Sequence, residues 1–102
     1  MIECNEEQVS RLAERDTAIL YLYTPFCGTC QLAKKMLTVV EAMLPALEIK
    51  MANLNYLPKQ ASAWEIESVP CLLLFEKGRL ISKTYAFHSV EHLYQILKKY
   101  AA

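Results

Sequence analysis

Apolar residues recur along the chain in two periods, and the switches between them predict the elements. Ala18 to Tyr23 is an apolar, β-branched and aromatic run of a buried strand's length. Thr24-Pro25 punctuates it. Beyond Cys30, residues Leu32, Ala33, Met36, Leu37 and Val40 recur at the three-and-four spacing of one helix face. Pro45 ends that helix near Met43 or Leu44, because the residue before proline avoids helical geometry. Lys34, Lys35, Thr38 and Glu41 form its solvated face. Leu47 to Leu54 reads as a second strand, its alternation broken by Lys50 and Asn53. Strand, helix and strand make a βαβ crossover, which is right-handed with parallel strands.

The flanking segments complete the pattern. Ile2 to Cys4 reads as a brief edge strand. Asn5 and Gln8 form a capping box, with Val9, Leu12 and Ala13 as the apolar face of a helix ending near Arg15. Pro58 suits a first helical turn and predicts a short helix to Trp64, with Trp64 and Ile66 covering the core. Cys71 to Phe75 reads as a buried strand, Glu76 to Arg79 as a tight turn, and Arg79 to Tyr85 as the returning strand of a hairpin. Ser89 caps a last helix with Val90, Leu93, Ile96, Leu97 and Tyr100 on its apolar face. The order (β)αβαβαββα predicts an α/β fold with a mixed central sheet flanked by helices. Pro70 opens a buried strand although it has no N–H for a ladder, and a cis Val69–Pro70 bond in a tight turn resolves the conflict.

Composition narrows the function classes. The 102 residues suit one domain, expected to span residues 1–102, and 54% hydrophobic content fills a core without disulfide staples. Formal net charge is zero, so no basic field exists to hold nucleic acid. No apolar run reaches membrane-spanning length, and the acidic start has no signal-peptide core, so neither membrane association nor export is expected. Four cysteines without an export signal predict a cytoplasmic protein with mostly reduced thiols.

The chemistry falls where the buried strand meets the long helix. Cys27-Gly28-Thr29-Cys30 occupies that junction. A helix start offers unpaired N–H groups and the positive end of the dipole, so a Cys27 thiolate is favoured there. Cys30 lies one helical turn on and can reach back. A low-pKa nucleophile with a resolving partner is what thiol–disulfide exchange requires. Half of a zinc site has the same spacing, but no second pair follows at the usual distance.

Three features together resemble the thioredoxin family along essentially the whole chain. They are the strand leading into Phe26-Cys27-Gly28-Thr29-Cys30, the Val69-Pro70 step before an apolar strand, and the Phe75-x-x-Gly78 hairpin. The resemblance implies the thioredoxin fold, with the Ala18 strand in mid-sheet beside those of residues 48–53 and 71–76. It implies that Cys27 is the exposed nucleophile and Cys30 the buried resolving thiol. It implies a cis-proline at Pro70 beside the cysteines, and a substrate surface of Phe26, Gly28, Thr29, Val69 and Pro70. It further implies a monomer without bound cofactor. Its Cys27–Cys30 disulfide would be reduced by an NADPH-dependent flavoprotein of the thioredoxin-reductase type, and its partners would be disulfide-containing proteins.

The chain also departs from the family. Thr29 replaces a proline, which shifts the expected reduction potential. Phe26 replaces a tryptophan, and Lys35 a helix-kinking proline. Tyr21 and Met51 replace a buried aspartate and its lysine, so both halves of an ion pair are gone. Ser68 and Ala86 replace two glycines beside the substrate groove and narrow it. The leading expectation is a protein-disulfide reductase. Its rivals are a more oxidising oxidase or isomerase, and a metal-binding or interaction module using Cys27, Cys30 and Cys71. Cys71 itself reads first as a small buried hydrophobe, Cys4 as a bland thiol, and His88 with His92 as a solvated helix start. Tyr21 reads as an apolar strand residue, with a proton relay as the alternative.

Overall fold

The computed structural model describes residues 1–101 and arranges them as predicted around one five-stranded sheet of order β1-β3-β2-β4-β5. The elements are β1 (Ile2–Glu3), α1 (Glu6–Leu12), β2 (Thr17–Tyr23), α2 (Gly28–Met43), β3 (Ile49–Asn53), α3 (Pro58–Ala63), β4 (Cys71–Glu76), β5 (Arg79–Thr84) and α4 (Val90–Leu97). Single 3-10 turns occupy Leu54–Tyr56 and Lys98–Ala101. β3 runs parallel to both β1 and β2, as the crossover requires. β2 and β5 both run antiparallel to β4. β2 therefore lies in mid-sheet and delivers its C-terminal end to the cysteines.

Side chains alternate across the sheet and divide the core into two layers. Ile19, Tyr21, Leu72 and Leu74 face Ala33, Leu37 and Val40 of α2 and Leu93 and Leu97 of α4. Leu20, Leu22, Cys71, Leu73 and Phe75 face the other way, with Val9 and Leu12 of α1 and Leu57 before α3. Trp64 and Ile66 pack onto this second layer, Trp64 edge-on to Phe75 with ring centroids 5.2 Å apart. Each fully buried leucine or phenylalanine contributes roughly 1.5–3 kcal/mol.

Two elements and one helix position differ from the expectation. α1 stops at Leu12 rather than near Arg15, because the chain turns to meet the β4–β5 hairpin. The Asp16 and Arg15 carbonyls there accept the Lys77 and Gly78 N–H groups at 2.6 and 3.3 Å. Lys77 and Gly78 both have positive φ, 53° and 74°, the geometry of a two-residue hairpin turn. β3 spans five residues only, since the Asn53 side chain accepts from the Asn55 N–H and starts a 3-10 turn. Leu32 is 56% exposed rather than on the inner face of α2. Cys30, Ala33, Leu37 and Val40 supply that face, and Leu32 lies about 100° around the helix from Ala33.

Candidate active site

α2 begins at Gly28, and Cys27 is its N-cap with extended backbone. The Cys30 N–H donates to Cys27 Sγ at 3.1 Å, so sulfur does what a serine or aspartate oxygen does at other helix starts. The two sulfurs are joined in a disulfide, with Cα atoms 5.2 Å apart. Cys27 is half-buried and Cys30 is 3% exposed. Only Cys27 thus faces outward. Thr29 Oγ1 lies 3.4 Å from Cys27 Sγ. The helix start, the Cys30 N–H and the Thr29 hydroxyl all lie at Cys27 Sγ, and groups of this kind favour a thiolate over a thiol.

Tyr21 lies beneath Cys30, and its hydroxyl donates to the Cys30 carbonyl at 2.6 Å. The ring is fully buried, and burial pushes its phenol well above the ordinary range. That proton is donated to a backbone carbonyl in the disulfide form. Met51 is Tyr21's partner in the β2–β3 register and is also buried. No charged side chain is buried among the described residues, so a phenol and a thioether fill the place of an ion pair.

The Val69–Pro70 bond is cis, as expected. Pro70 and Thr29 line one open groove of about 330 Å³ together with Tyr85, Phe87 and His88. Val69 is half-buried against the second core layer. Gly28 is exposed, and a side chain there would meet nothing within 4 Å. Phe26 stands fully clear of the fold at 103% exposure. His88 was not singled out as a groove residue by the sequence. Its place follows from a positive φ of 58° just before the Ser89 cap, which no periodicity signals.

Cys71 belongs to a different environment. It alternates with Leu73 and Phe75 onto the layer opposite α2, at 0% exposure. Burial pushes its thiol up to about 11, against smaller lowering by the Tyr85 hydroxyl and Lys83. Cys4 is half-buried near the edge strand, and its thiol is raised by burial as well. Alkylation of folded, oxidised protein near pH 8 is therefore expected to label Cys4 and spare Cys71 until denaturant is added. Mass mapping of each cysteine checks this, and early labelling at Cys71 would contradict its burial. His88 and His92 meet edge to face at 4.8 Å. Among the described residues no three His, Cys, Asp or Glu side chains group as a metal site, so Cys27, Cys30 and Cys71 do not form one within the chain.

Comparison with known proteins points to one family. The thioredoxin family model matches residues 3–99. The thioredoxin-like protein YusE of Bacillus subtilis (strain 168) is 54% identical over 99 residues, covering 97% of this chain and 92% of its own length. The thioredoxin of Chlamydia pneumoniae is 28% identical over 78% of each chain. The oxidised thioredoxin from Plasmodium falciparum superposes with a TM-score of 0.83 at 13% identity, covering 100% of this chain and 99% of its own. The fold and the bonded Cys-x-x-Cys pair define a thiol–disulfide oxidoreductase. The chain belongs to the thioredoxin family.

Proposed function

We propose that this protein, as a single domain of residues 1–102, reduces disulfides in other proteins by dithiol exchange. The observation that carries the reading is the unequal exposure of two bonded cysteines at a helix start. Cys27 is half-buried, with the helix start, the Cys30 N–H and the Thr29 hydroxyl at its Sγ; Cys30 is shielded one turn along. The Cys27 thiolate attacks a substrate disulfide, and the bond to the leaving sulfur breaks with its electron pair. Cys30, as thiolate, then attacks Cys27 Sγ. The second substrate thiolate leaves, and the Cys27–Cys30 disulfide forms. Two electrons pass to the substrate, and the two protons lost by the cysteines end on its thiols.

Phe26, Gly28, Thr29, Val69 and Pro70 form the substrate surface in this reading. Phe26 offers the apolar contact, and the groove past Thr29 and Pro70 receives the segment around the target disulfide. Reduction of the Cys27–Cys30 disulfide falls to an NADPH-dependent flavoprotein reductase. The free thiols Cys4 and Cys71 fit a reducing, cytoplasmic setting and action as a monomer without bound cofactor. A specific observation also favours a more oxidising variant. The Thr29 hydroxyl beside Cys27 Sγ is a thiolate donor that the proline usual at this place does not supply, and a stabilised dithiol form raises the potential.

A redox titration against glutathione or dithiothreitol buffers, with alkylation mapping, tests the proposal. The expected result is one two-electron transition confined to Cys27 and Cys30, between roughly −250 and −200 mV, more oxidising than the ~−270 mV of thioredoxin. A potential nearer the ~−120 mV of DsbA would reassign the protein as an oxidant. Failure of the pair to form a disulfide would end the oxidoreductase reading.

A further inference from the structure

The second step of the exchange needs Cys30 as a thiolate, and Cys30 is nearly sealed from solvent. One cavity, of about 200 Å³, reaches it from the β1 side of the sheet. Glu3 is the one carboxylate that lines it, among walls that include Cys30, Tyr21, Tyr23, Lys34 and Met51. Strand register explains how a residue so far back in the chain arrives there. Glu3 pairs with Met51, and Met51 pairs with Tyr21, so the three lie in one transverse row across parallel strands. Residues paired across strands point to one face. The row therefore places Glu3 on the α2 side, at the edge of the floor beneath Cys30.

The carboxylate is also held. Tyr23, two residues beyond Tyr21 on the same strand face, donates its hydroxyl to Glu3 Oε1 at 2.6 Å. Burial, and then the bond to Glu3, push the Tyr23 phenol up to about 12, so it keeps its proton and remains a donor at neutral pH. The titratable groups around the carboxylate are few. Lys34 faces the cavity from α2 and Tyr21 and Tyr23 from β2; Tyr56 of the 3-10 turn and Glu6 of α1 line the adjoining cavity with Glu3 and Tyr23, and Cys4 follows Glu3 in the chain. Met51, from β3, carries no proton.

We propose that Glu3 is the proton acceptor for Cys30 when the mixed disulfide is resolved, with Tyr23 as its positioning residue. The proposal rests on the exchange mechanism above. The Cys30 S–H proton passes across the solvent-accessible cavity to the Glu3 carboxylate. The sulfur's electron pair forms the bond to Cys27 Sγ, and the Cys27–substrate bond breaks onto the departing substrate thiolate. Glu3 later returns its proton to water.

Stopped-flow mixing of reduced protein with a symmetrical aromatic disulfide, whose thiolate is coloured, separates the steps. The first equivalent of colour reports attack by Cys27, and the second reports resolution by Cys30. Glu3→Gln keeps an oxygen that accepts the Tyr23 hydroxyl, so it removes the base and leaves the contact. The second phase is expected to slow about 100-fold near pH 7, at the lower end of general acid–base effects. The first phase should change less than about 2-fold, because no proton transfer to Glu3 enters it. The deficit should narrow as pH rises and hydroxide deprotonates Cys30 directly. Tyr23→Phe should show a smaller loss with the same pH trend. A normal second phase in Glu3→Gln across the pH range overturns the assignment of Glu3 alone. Release of fewer than two equivalents by the unmodified protein overturns the exchange reading itself, and this assignment with it.

Discussion

Cys27→Ser is expected to abolish disulfide reduction while leaving the fold in place. The two halves of that expectation have separate causes. Serine is a favoured N-cap, so its Oγ takes over the bond that the Cys30 N–H now makes to Cys27 Sγ, and α2 keeps its first turn. Chemistry has no such substitute. A serine hydroxyl is a weak nucleophile unless a base activates it, and no charged side chain is buried at this site. The loss should be at least about 1,000-fold, since attack by Cys27 begins every turnover. Cys30→Ser should behave differently. Cys27 stays exposed and still attacks, but nothing resolves the product, so a mixed disulfide with the substrate accumulates. Gel mobility with and without reductant, with mass analysis of the adduct, distinguishes the two variants. Adducts on Cys30 or Cys71 in place of Cys27 would show that the roles have been assigned wrongly. Far-ultraviolet circular dichroism of Cys27→Ser, compared with the reduced wild-type protein, checks that folding is not the cause.

The chain's local patterns carried most of the architecture. The Asn5–Gln8 box appears with both of its bonds, and Ser89 caps α4 by accepting from the His92 N–H. Both are signals within four residues, which is why they survive in a linear reading. The crossover and the hairpin were legible for the same reason, as alternations of period two and of three-and-four. What could not be read depends on residues far apart in the chain. Leu32 has the right spacing for the inner face of α2, but that face turned toward Cys30 once the sheet was in place. Glu3 carried no motif at all. It came to the cavity beside Cys30 only through the registers of two parallel pairings, each joining segments tens of residues apart. Local signals thus carried the elements, while the place of Glu3 rests on sheet register, which no stretch of consecutive residues encodes.

Tyr21 shows how such long-range placement limits what the chain tolerates, and Tyr21→Asp is expected to be the most destabilising single change discussed. The ring is fully buried between α2 and the sheet, stacks near Tyr23 at 6.0 Å and meets Phe87 edge-on at 6.0 Å. Truncating a buried aromatic costs about 3–5 kcal/mol through lost contacts and the cavity left behind. An unpaired carboxylate in the same place adds several kcal/mol, unless it takes up a proton. The sum is comparable to the whole stability of a small domain, about 5–15 kcal/mol. The pH dependence has a definite sign. Burial raises the folded-state pKa of the new acid above its unfolded value of about 3.9. Stability of the variant relative to wild type is therefore greatest below that value, and falls as pH rises through the folded-state pKa. Met51 sits directly across the β2–β3 register, so adding Met51→Lys offers the carboxylate a cation and should restore part of the loss at pH 7. Urea unfolding of both variants across acid to neutral pH tests the argument. A single variant as stable as wild type at pH 7, or a double variant no better than the single one, would mean that the phenol and thioether do not form the closed floor beneath Cys30.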